Sequence, residues 1–142
     1  MPSSEEKPAT PGNRPEEPSA RRRILVVDDN EDAASTLAML LQLTGNEVHT
    51  ACDGLEAVKA VAELHPDVVL MDIGMPKLNG YDAARRIRGH ASGKDTFLIA
   101  VSGWGQEEDK LRCANAGFNA HMTKPVDVSA LTKLLSENAQ QR

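Results

Sequence analysis

The sequence predicts a doubly wound α/β domain, in which five parallel strands alternate with five helices. Short apolar runs such as 24–27, 68–71 and 97–101 are each bounded by polar or turn residues, which is typical of strands buried on both faces. Longer segments with apolar residues at helical spacing lie between them. Strands joined by crossover helices pair in parallel, so the alternation predicts one sheet with helices on both faces.

The N-terminal half of the domain is predicted as strand, helix, strand, helix. The first strand covers 24–27, and Asn30 can cap the helix that follows by accepting a hydrogen bond from its first turn. A second strand covers 47–52 and a second helix 54–65, which Pro66 ends. The expected apolar faces are Ala33, Leu37, Leu40 and Leu41 in the first helix, and Leu55, Val58, Val61, Ala62 and Leu64 in the second.

The C-terminal half continues the alternation. The third strand, 68–72, consists of four apolar residues and one aspartate, and the fourth and fifth strands cover 97–101 and 119–123. A loop is expected at 91–95. The expected helical residues are Tyr81, Ala84, Ile87 and Arg88 in a third helix ending near Gly89, 107–116 in a fourth capped by Gly117, and Val128, Leu131, Leu134 and Leu135 in a fifth that begins at Asp127 or Ser129.

Length and charge restrict the function. The chain has 142 residues and a formal net charge of −5, so it is long enough for one domain, and nucleic-acid binding by this chain alone is not expected. Cys52 and Cys113 lie far apart without a CxxC partner, which indicates reduced thiols. No apolar run has the length of a membrane span and no signal peptide is evident, so a cytoplasmic location is expected.

The N-terminal segment has the composition of a tail. Residues 1–20 hold five of the eight prolines and almost no apolar side chains. Such a segment cannot offset the entropy lost on ordering. We therefore expect a disordered tail or linker at 1–22, one domain at 23–138 and a frayed C-terminus at 139–142, with no room for a second output domain.

Polar side chains stand at the ends of four predicted strands. Asp28 and Asp29 follow the first strand, Asp72 ends the third, Ser102 follows the fourth and Lys124 follows the fifth. The carboxyl ends of parallel strands share one edge of the sheet, which is where open α/β sheets bind their ligands. We therefore expect these side chains to lie close together.

This set of residues favours phosphoryl chemistry. Three carboxylates at one edge repel one another unless a cation lies between them, and oxygen ligands suit Mg²⁺. A hard cation, a lysine and a hydroxyl donor together match the needs of a phosphoryl group. Asp72 has no acidic neighbour in sequence, so we expect it to be the nucleophile that forms an aspartyl-phosphate. Asp28 and Asp29 are then metal ligands or water-orienting groups.

Five short motifs resemble those of a known family. They are DD at 28–29, MDIGMP at 71–76, NGYD at 79–82, SG at 102–103 and TKP at 123–125. Their order and spacing resemble the receiver domain of bacterial two-component response regulators, and the resemblance covers residues 23–138. It implies a flavodoxin-like, CheY-like fold with strand order 2-1-3-4-5.

The resemblance also implies roles for individual residues. Asp72 would accept a phosphoryl group from a histidine kinase or a histidine phosphotransfer protein, and slow autodephosphorylation would follow. Mg²⁺, with Mn²⁺ as an alternative, would be held by Asp28, Asp29, Asp72 and the backbone carbonyl of Gly74. Ser102 and Lys124 would contact the phosphoryl group, with the Lys124–Pro125 bond in the cis form.

The family's switch residues are less well matched. His121 occupies the position of an aromatic switch residue coupled to Ser102, and the alternative is an ordinary half-exposed histidine at a strand end. Trp104 occupies the loop that gates the site in the family, and the alternative is a partner contact. The face that would bind a downstream protein consists of helix four, strand five and helix five.

Other functions remain open from the sequence. A haloacid dehalogenase-like phosphatase or phosphotransferase would carry a second acid two residues after the nucleophile, where this chain has Gly74. A flavin-binding module would carry a hydroxyl- and glycine-rich loop in place of Asp28-Asp29. An interaction module that is never phosphorylated would not need the acidic set. The chain is either a stand-alone regulator or a receiver from a hybrid histidine kinase.

Overall fold

The computed structural model describes residues 22–74, 79–103 and 107–141 and confirms the predicted fold class. Five parallel strands form one sheet in the order β2-β1-β3-β4-β5. The strands are β1 (Arg23–Val27), β2 (Glu47–Ala51), β3 (Val68–Asp72), β4 (Phe97–Ser102) and β5 (Ala120–Thr123). The helices are α1 (Glu31–Leu43), α2 (Gly54–Leu64), α3 (Gly80–Gly89), α4 (Glu107–Ala116) and α5 (Val128–Gln141).

The sheet separates two apolar clusters, because successive side chains of a strand point to opposite faces. One cluster joins alternate strand residues such as Leu25 and Val69 to residues of α2, α3 and α4. The other joins Ile24, Val26 and Leu70 to residues of α1 and α5. The central strand β3 is buried along its whole length, so the residue at its carboxyl end has a rigid support.

Polar side chains cap the helices at their N-termini. Asn30 accepts a hydrogen bond from the Ala33 N–H, as predicted. Asn79 caps α3 in the same way, and Asp127 accepts from the backbone N–H groups that begin α5. Gly45, with a φ of 94°, follows the end of α1, where the left-handed conformation favours glycine.

The predicted apolar faces of the first two helices are partly wrong. Leu40 is 43% exposed and Leu55 is 49% exposed. Leu41 and Val61 are buried as predicted, and the other buried residues are small: Ala34 and Ala38 in α1, and Gly54 and Ala57 in α2. Small side chains at the contact bring a helix close to the sheet, which leaves some of the larger ones at its flanks.

Two smaller features were not predicted from the sequence. Asp53, to which the sequence analysis assigned no role, is 8% exposed and caps α2 by accepting a hydrogen bond from the Glu56 N–H. The expected loop at 91–95 contains one 3₁₀ turn, Ala91–Gly93. Helix α5 runs to Gln141, and the predicted bounds of the domain stay a prediction. The predicted tail at 1–22 falls outside the described residues, except for Arg22.

Arg88 joins three segments at the amino end of the sheet. This half-buried residue lies near the end of α3, and its guanidinium donates to backbone carbonyls before β4 and before β5. A guanidinium has five N–H donors, and several backbone carbonyls here accept hydrogen bonds from it. Its acceptors are Gly117 O at 2.9 Å, Gly93 O at 2.9 Å, Lys94 O at 3.2 Å, Thr96 O at 2.7 Å and Asn119 Oδ1 at 2.6 Å.

Replacement of Arg88 by alanine should therefore lower the free energy of unfolding by about 2–3 kcal/mol, because partly buried carbonyls lose a charged donor. Urea denaturation measures the change. Arg86→Ala is the matched control, since Arg86 is exposed on the same helix, and it should change the free energy by less than about 0.5 kcal/mol. Equal effects of the two substitutions would contradict the role given to Arg88.

Candidate functional site

Asp72 ends the central strand and is held from both sides. It is 7% exposed. Its Oδ1 accepts a hydrogen bond from the Gly74 N–H at 3.0 Å, and its Oδ2 accepts one from Lys124 Nζ at 2.8 Å. These two bonds fix the carboxylate at the edge of the sheet, where the sequence predicted a nucleophile.

Lys124 reaches this carboxylate from the segment that follows β5. Its backbone N–H donates to Ser102 O at 2.7 Å, which ties the segment to the end of β4. The Lys124–Pro125 bond is cis, as the resemblance implied. Partial burial opposes the charge of Lys124, but the hydrogen bond and charge of Asp72, together with Asp28 and Asp29, raise its pKa above the ordinary value.

The two acids after β1 lie beside Asp72. Asp28 Oδ1 accepts from the Asn30 N–H at 2.9 Å, and Asp28 Oδ2 lies 3.8 Å from Lys124 Nζ. Burial raises the pKa of Asp28, and the charges of Asp72 and Asp29 add to the rise, against the lowering effect of the Asn30 bond and Lys124. Asp29 is exposed at the rim.

The donor set fits a hard divalent cation. One carboxylate oxygen from each of Asp28, Asp29 and Asp72 lies within 4.8 Å of the others. A single ammonium group cannot neutralise three carboxylates, and oxygen-only ligands with room for water suit Mg²⁺. Gly74 is exposed next to Asp72, and the metal-binding role of its carbonyl stays a prediction.

Ser102 and His121 are joined by a hydrogen bond. Ser102 ends β4 and is 2% exposed, and its Oγ lies 2.8 Å from Nε2 of the half-buried His121 on the neighbouring strand β5. Which atom donates depends on the histidine tautomer. The resemblance implied a coupling of this pair, and its role as a switch stays a prediction. Trp104, the other predicted switch residue, lies outside the described residues.

A second cluster of metal-ligand types lies after β2, and the sequence analysis missed it. It consists of Cys52, Asp53 and Glu56. Cys52 donates its N–H and its thiol to Glu56, and that bond, with burial, raises the pKa of the thiol. The protonated thiol of Cys52 and the capping carboxylate of Asp53 indicate that this cluster caps the N-terminus of α2. The spacing Asp53-x-x-Glu56 before an apolar run could have revealed it.

Residues 24–136 match the family model for the response regulator receiver domain. The chain is 38% identical over 114 residues to the protein PilH of Pseudomonas aeruginosa, which covers 80% of this chain and 94% of PilH. It spans 45% of the length of one matching DNA-binding transcriptional regulator and 26% of another regulatory protein. These matches give no support to the haloacid dehalogenase-like alternative.

Solved structures agree with the family match. The receiver domain of a sensor histidine kinase of Pseudomonas aeruginosa PAO1, with a magnesium ion in its active site cleft, has a TM-score of 0.76 and 31% identity, covering 83% of this chain and 97% of that one. The receiver domain of Ssk1 from Saccharomyces cerevisiae, crystallised with the histidine phosphotransfer protein Ypd1, has a TM-score of 0.76 and 27% identity, covering 83% and 88%.

No helix within the described ranges has the length and hydropathy that a membrane span requires.

Mg²⁺ should raise the thermal midpoint of the protein, because a cation that binds only the folded state stabilises it. At ten times the dissociation constant the gain is about 1.4 kcal/mol, or roughly 5 °C for a domain of this size. Differential scanning calorimetry measures the shift.

Two variants distinguish the acidic clusters in that experiment. Asp28→Asn should abolish the shift, and Glu56→Gln should retain it, since Glu56 belongs to the cluster after β2. A shift that survives Asp28→Asn would show that the cation binds elsewhere.

Proposed function

The chain belongs to the family of response regulator receiver domains of two-component signal transduction, and we propose that Asp72 is its phospho-acceptor. One observation carries this proposal. Asp72 is buried at the carboxyl end of the central strand, with Lys124 Nζ at 2.8 Å and the oxygens of Asp28 and Asp29 within 4.8 Å. No other carboxylate in the described residues combines these neighbours.

The proposed reaction is transfer from a phosphohistidine. An oxygen of Asp72 attacks phosphorus, the bond between phosphorus and the imidazole nitrogen breaks, and the imidazole leaves with the electron pair and takes a proton from solvent. Mg²⁺ bound by Asp28, Asp29, Asp72 and the Gly74 carbonyl would neutralise charge on the transferred group. Mn²⁺ is an alternative cation for the same ligands.

Two residues of the site suit the stabilisation of the product. Lys124 already donates to Asp72 Oδ2, and after transfer its ammonium would pair with a phosphoryl oxygen. Ser102 stands at the end of the strand beside Asp72, and its hydroxyl would donate to another. The same site would lose the phosphoryl group slowly to a water molecule oriented by the cation.

We further propose that the signal passes to the face formed by α4, β5 and α5. His121 is the connecting residue, because its ring contacts the Ser102 hydroxyl from the edge strand of the sheet. A hydroxyl recruited by the phosphoryl group must change or lose its bond to His121. Leu111 of α4 is 65% exposed and offers an apolar contact for a downstream protein. Trp104 is proposed to gate the site.

The phosphodonor is proposed to be a histidine kinase or a histidine phosphotransfer protein, as for the yeast receiver that was crystallised with Ypd1. The domain is proposed to occupy 23–138, after a tail or linker at 1–22. Either a stand-alone regulator, like PilH in length, or a receiver of a hybrid kinase, like the Pseudomonas structure, fits these boundaries.

Incubation with acetyl phosphate and Mg²⁺ should add one phosphoryl group to the protein, and intact mass spectrometry detects it. Asp72→Ala should abolish the gain because the nucleophile is lost, and chelation of the metal should prevent it. Asp82→Ala is the matched control, since Asp82 is an exposed acid on α3, and this variant should react at the parental rate. A mass gain that persists in Asp72→Ala would refute the proposal.

Phosphorylation should move the ring signals of His121 in proton–carbon NMR spectra, because the bond to Ser102 changes. His65 serves as the control within the same spectrum. It is exposed and caps the C-terminus of α2 at the amino end of the sheet, where the neighbouring Leu64 O accepts a hydrogen bond from Arg23 at the start of β1, so its signals should stay in place. Unchanged His121 signals in a fully phosphorylated sample would show that this residue is not part of the switch.

A further inference from the structure

An apolar groove leads away from the phospho-acceptor. A cavity of about 710 Å³ lies between α1 and the segment that follows β5, with the sheet as its floor. Its walls are formed by Ala33, Leu37 and Leu40 on one side and by Pro125 and Val126 on the other. The volume is within the range of small-molecule sites.

The groove is continuous with the candidate phosphorylation site. Asp28, Asp72 and Lys124 line one end of it, and Asn30 and Asp32 lie at the same end, where α1 begins. Thr36, further along α1, is the one other polar residue of the lining. The side chains beyond them are mainly aliphatic, and Leu40 is 43% exposed. The cavity therefore pairs one charged end with an apolar body.

This distribution of charge matches an amphipathic ligand with one phosphorylated end. A donor whose phosphorus lies at Asp72 has the rest of its structure close to the site, and among the described residues the groove is the apolar surface that adjoins it. Burial of aliphatic carbon there would stabilise the bound donor. A donor with a polar remainder would gain nothing from these walls.

We infer that the groove binds the aliphatic chain of small acyl phosphates, so that the domain reacts faster with medium-chain acyl phosphates than with acetyl phosphate. The inference rests on the proposed function of Asp72. In the reaction, an oxygen of Asp72 forms a bond to phosphorus, the bond between phosphorus and the acyl oxygen breaks, and the fatty-acid carboxylate leaves with the electron pair. No proton or further reactant is required.

The test compares acetyl, butyryl and hexanoyl phosphate with the full chain and Mg²⁺. Straight-chain carboxylic acids have nearly equal acid strength, so the three leaving groups differ only in apolar length. The initial rate of phosphorylation is followed by intact mass at donor concentrations below saturation. Each buried methylene should raise the rate up to about fourfold, so butyryl phosphate should react up to about 15 times faster than acetyl phosphate.

Two leucine variants locate the effect. Leu40→Asn places an amide in the groove wall and should lower the ratio of butyryl to acetyl rates. Leu43→Asn is the matched control, because Leu43 lies on the same helix, is 78% exposed and does not line the groove. Its ratio should equal that of the parent chain.

The outcomes separate this inference from the proposed function. Equal rates for all three donors, with normal labelling by acetyl phosphate, would overturn the inference that the groove binds acyl chains. The proposal that Asp72 is the phospho-acceptor would still hold. A chain-length effect that Leu43→Asn abolishes and Leu40→Asn retains would overturn the inference too. Failure of acetyl phosphate to label the protein would refute the proposed function and the inference with it. The parent chain decides the question even if a variant does not fold.

Discussion

The ion pair between Lys124 and Asp72 is the contact on which the candidate site depends. Three carboxylates meet at one edge of the sheet, and their repulsion must be offset for the fold to hold them there. Lys124 Nζ lies 2.8 Å from Asp72 and 3.8 Å from Asp28. The single ammonium group of Lys124 does not neutralise all three carboxylates. The remaining negative charge favours the binding of a cation, and a divalent metal ion would suit it.

Strand pairing holds Asp72 in place, although repulsion between the carboxylates would otherwise drive them apart. Strand β3 is paired on both sides, and Ile73, directly after Asp72, donates its N–H to Val101 O. Gly80 then approaches so closely that an added Cβ would lie 2.6 Å from the Ile73 Cα. Ile73 and Gly80 are therefore held together, which fixes the backbone directly after Asp72.

The sequence predicted the strands and the site better than it predicted the helix faces. An apolar run that ends in Asp72 or Ser102 predicts a buried strand with a polar residue at its carboxyl end. Such ends lie together, because the strands of a parallel sheet all end at one edge. The buried face of α1 is harder to predict, since Leu41 is buried whereas Leu40 and Leu43 are exposed, and the alanines that contact the sheet give a weak signal. Arg88 and Asp53 were missed for a different reason: their partners are backbone groups distant in sequence or capping sites, which periodicity does not report.

The edge position of β5 divides the domain mechanically. β3 cannot move without breaking two hydrogen-bond ladders, whereas β5 has four residues and one neighbouring strand. A displacement at β5, where His121 lies, therefore breaks fewer hydrogen bonds between strands than the same displacement at β3. The proposed phospho-acceptor sits on a strand that is paired on both sides, and His121, in contact with Ser102, sits on an edge strand. A structural change that begins at the central strand β3 would therefore be accommodated more readily by movement of the edge strand β5.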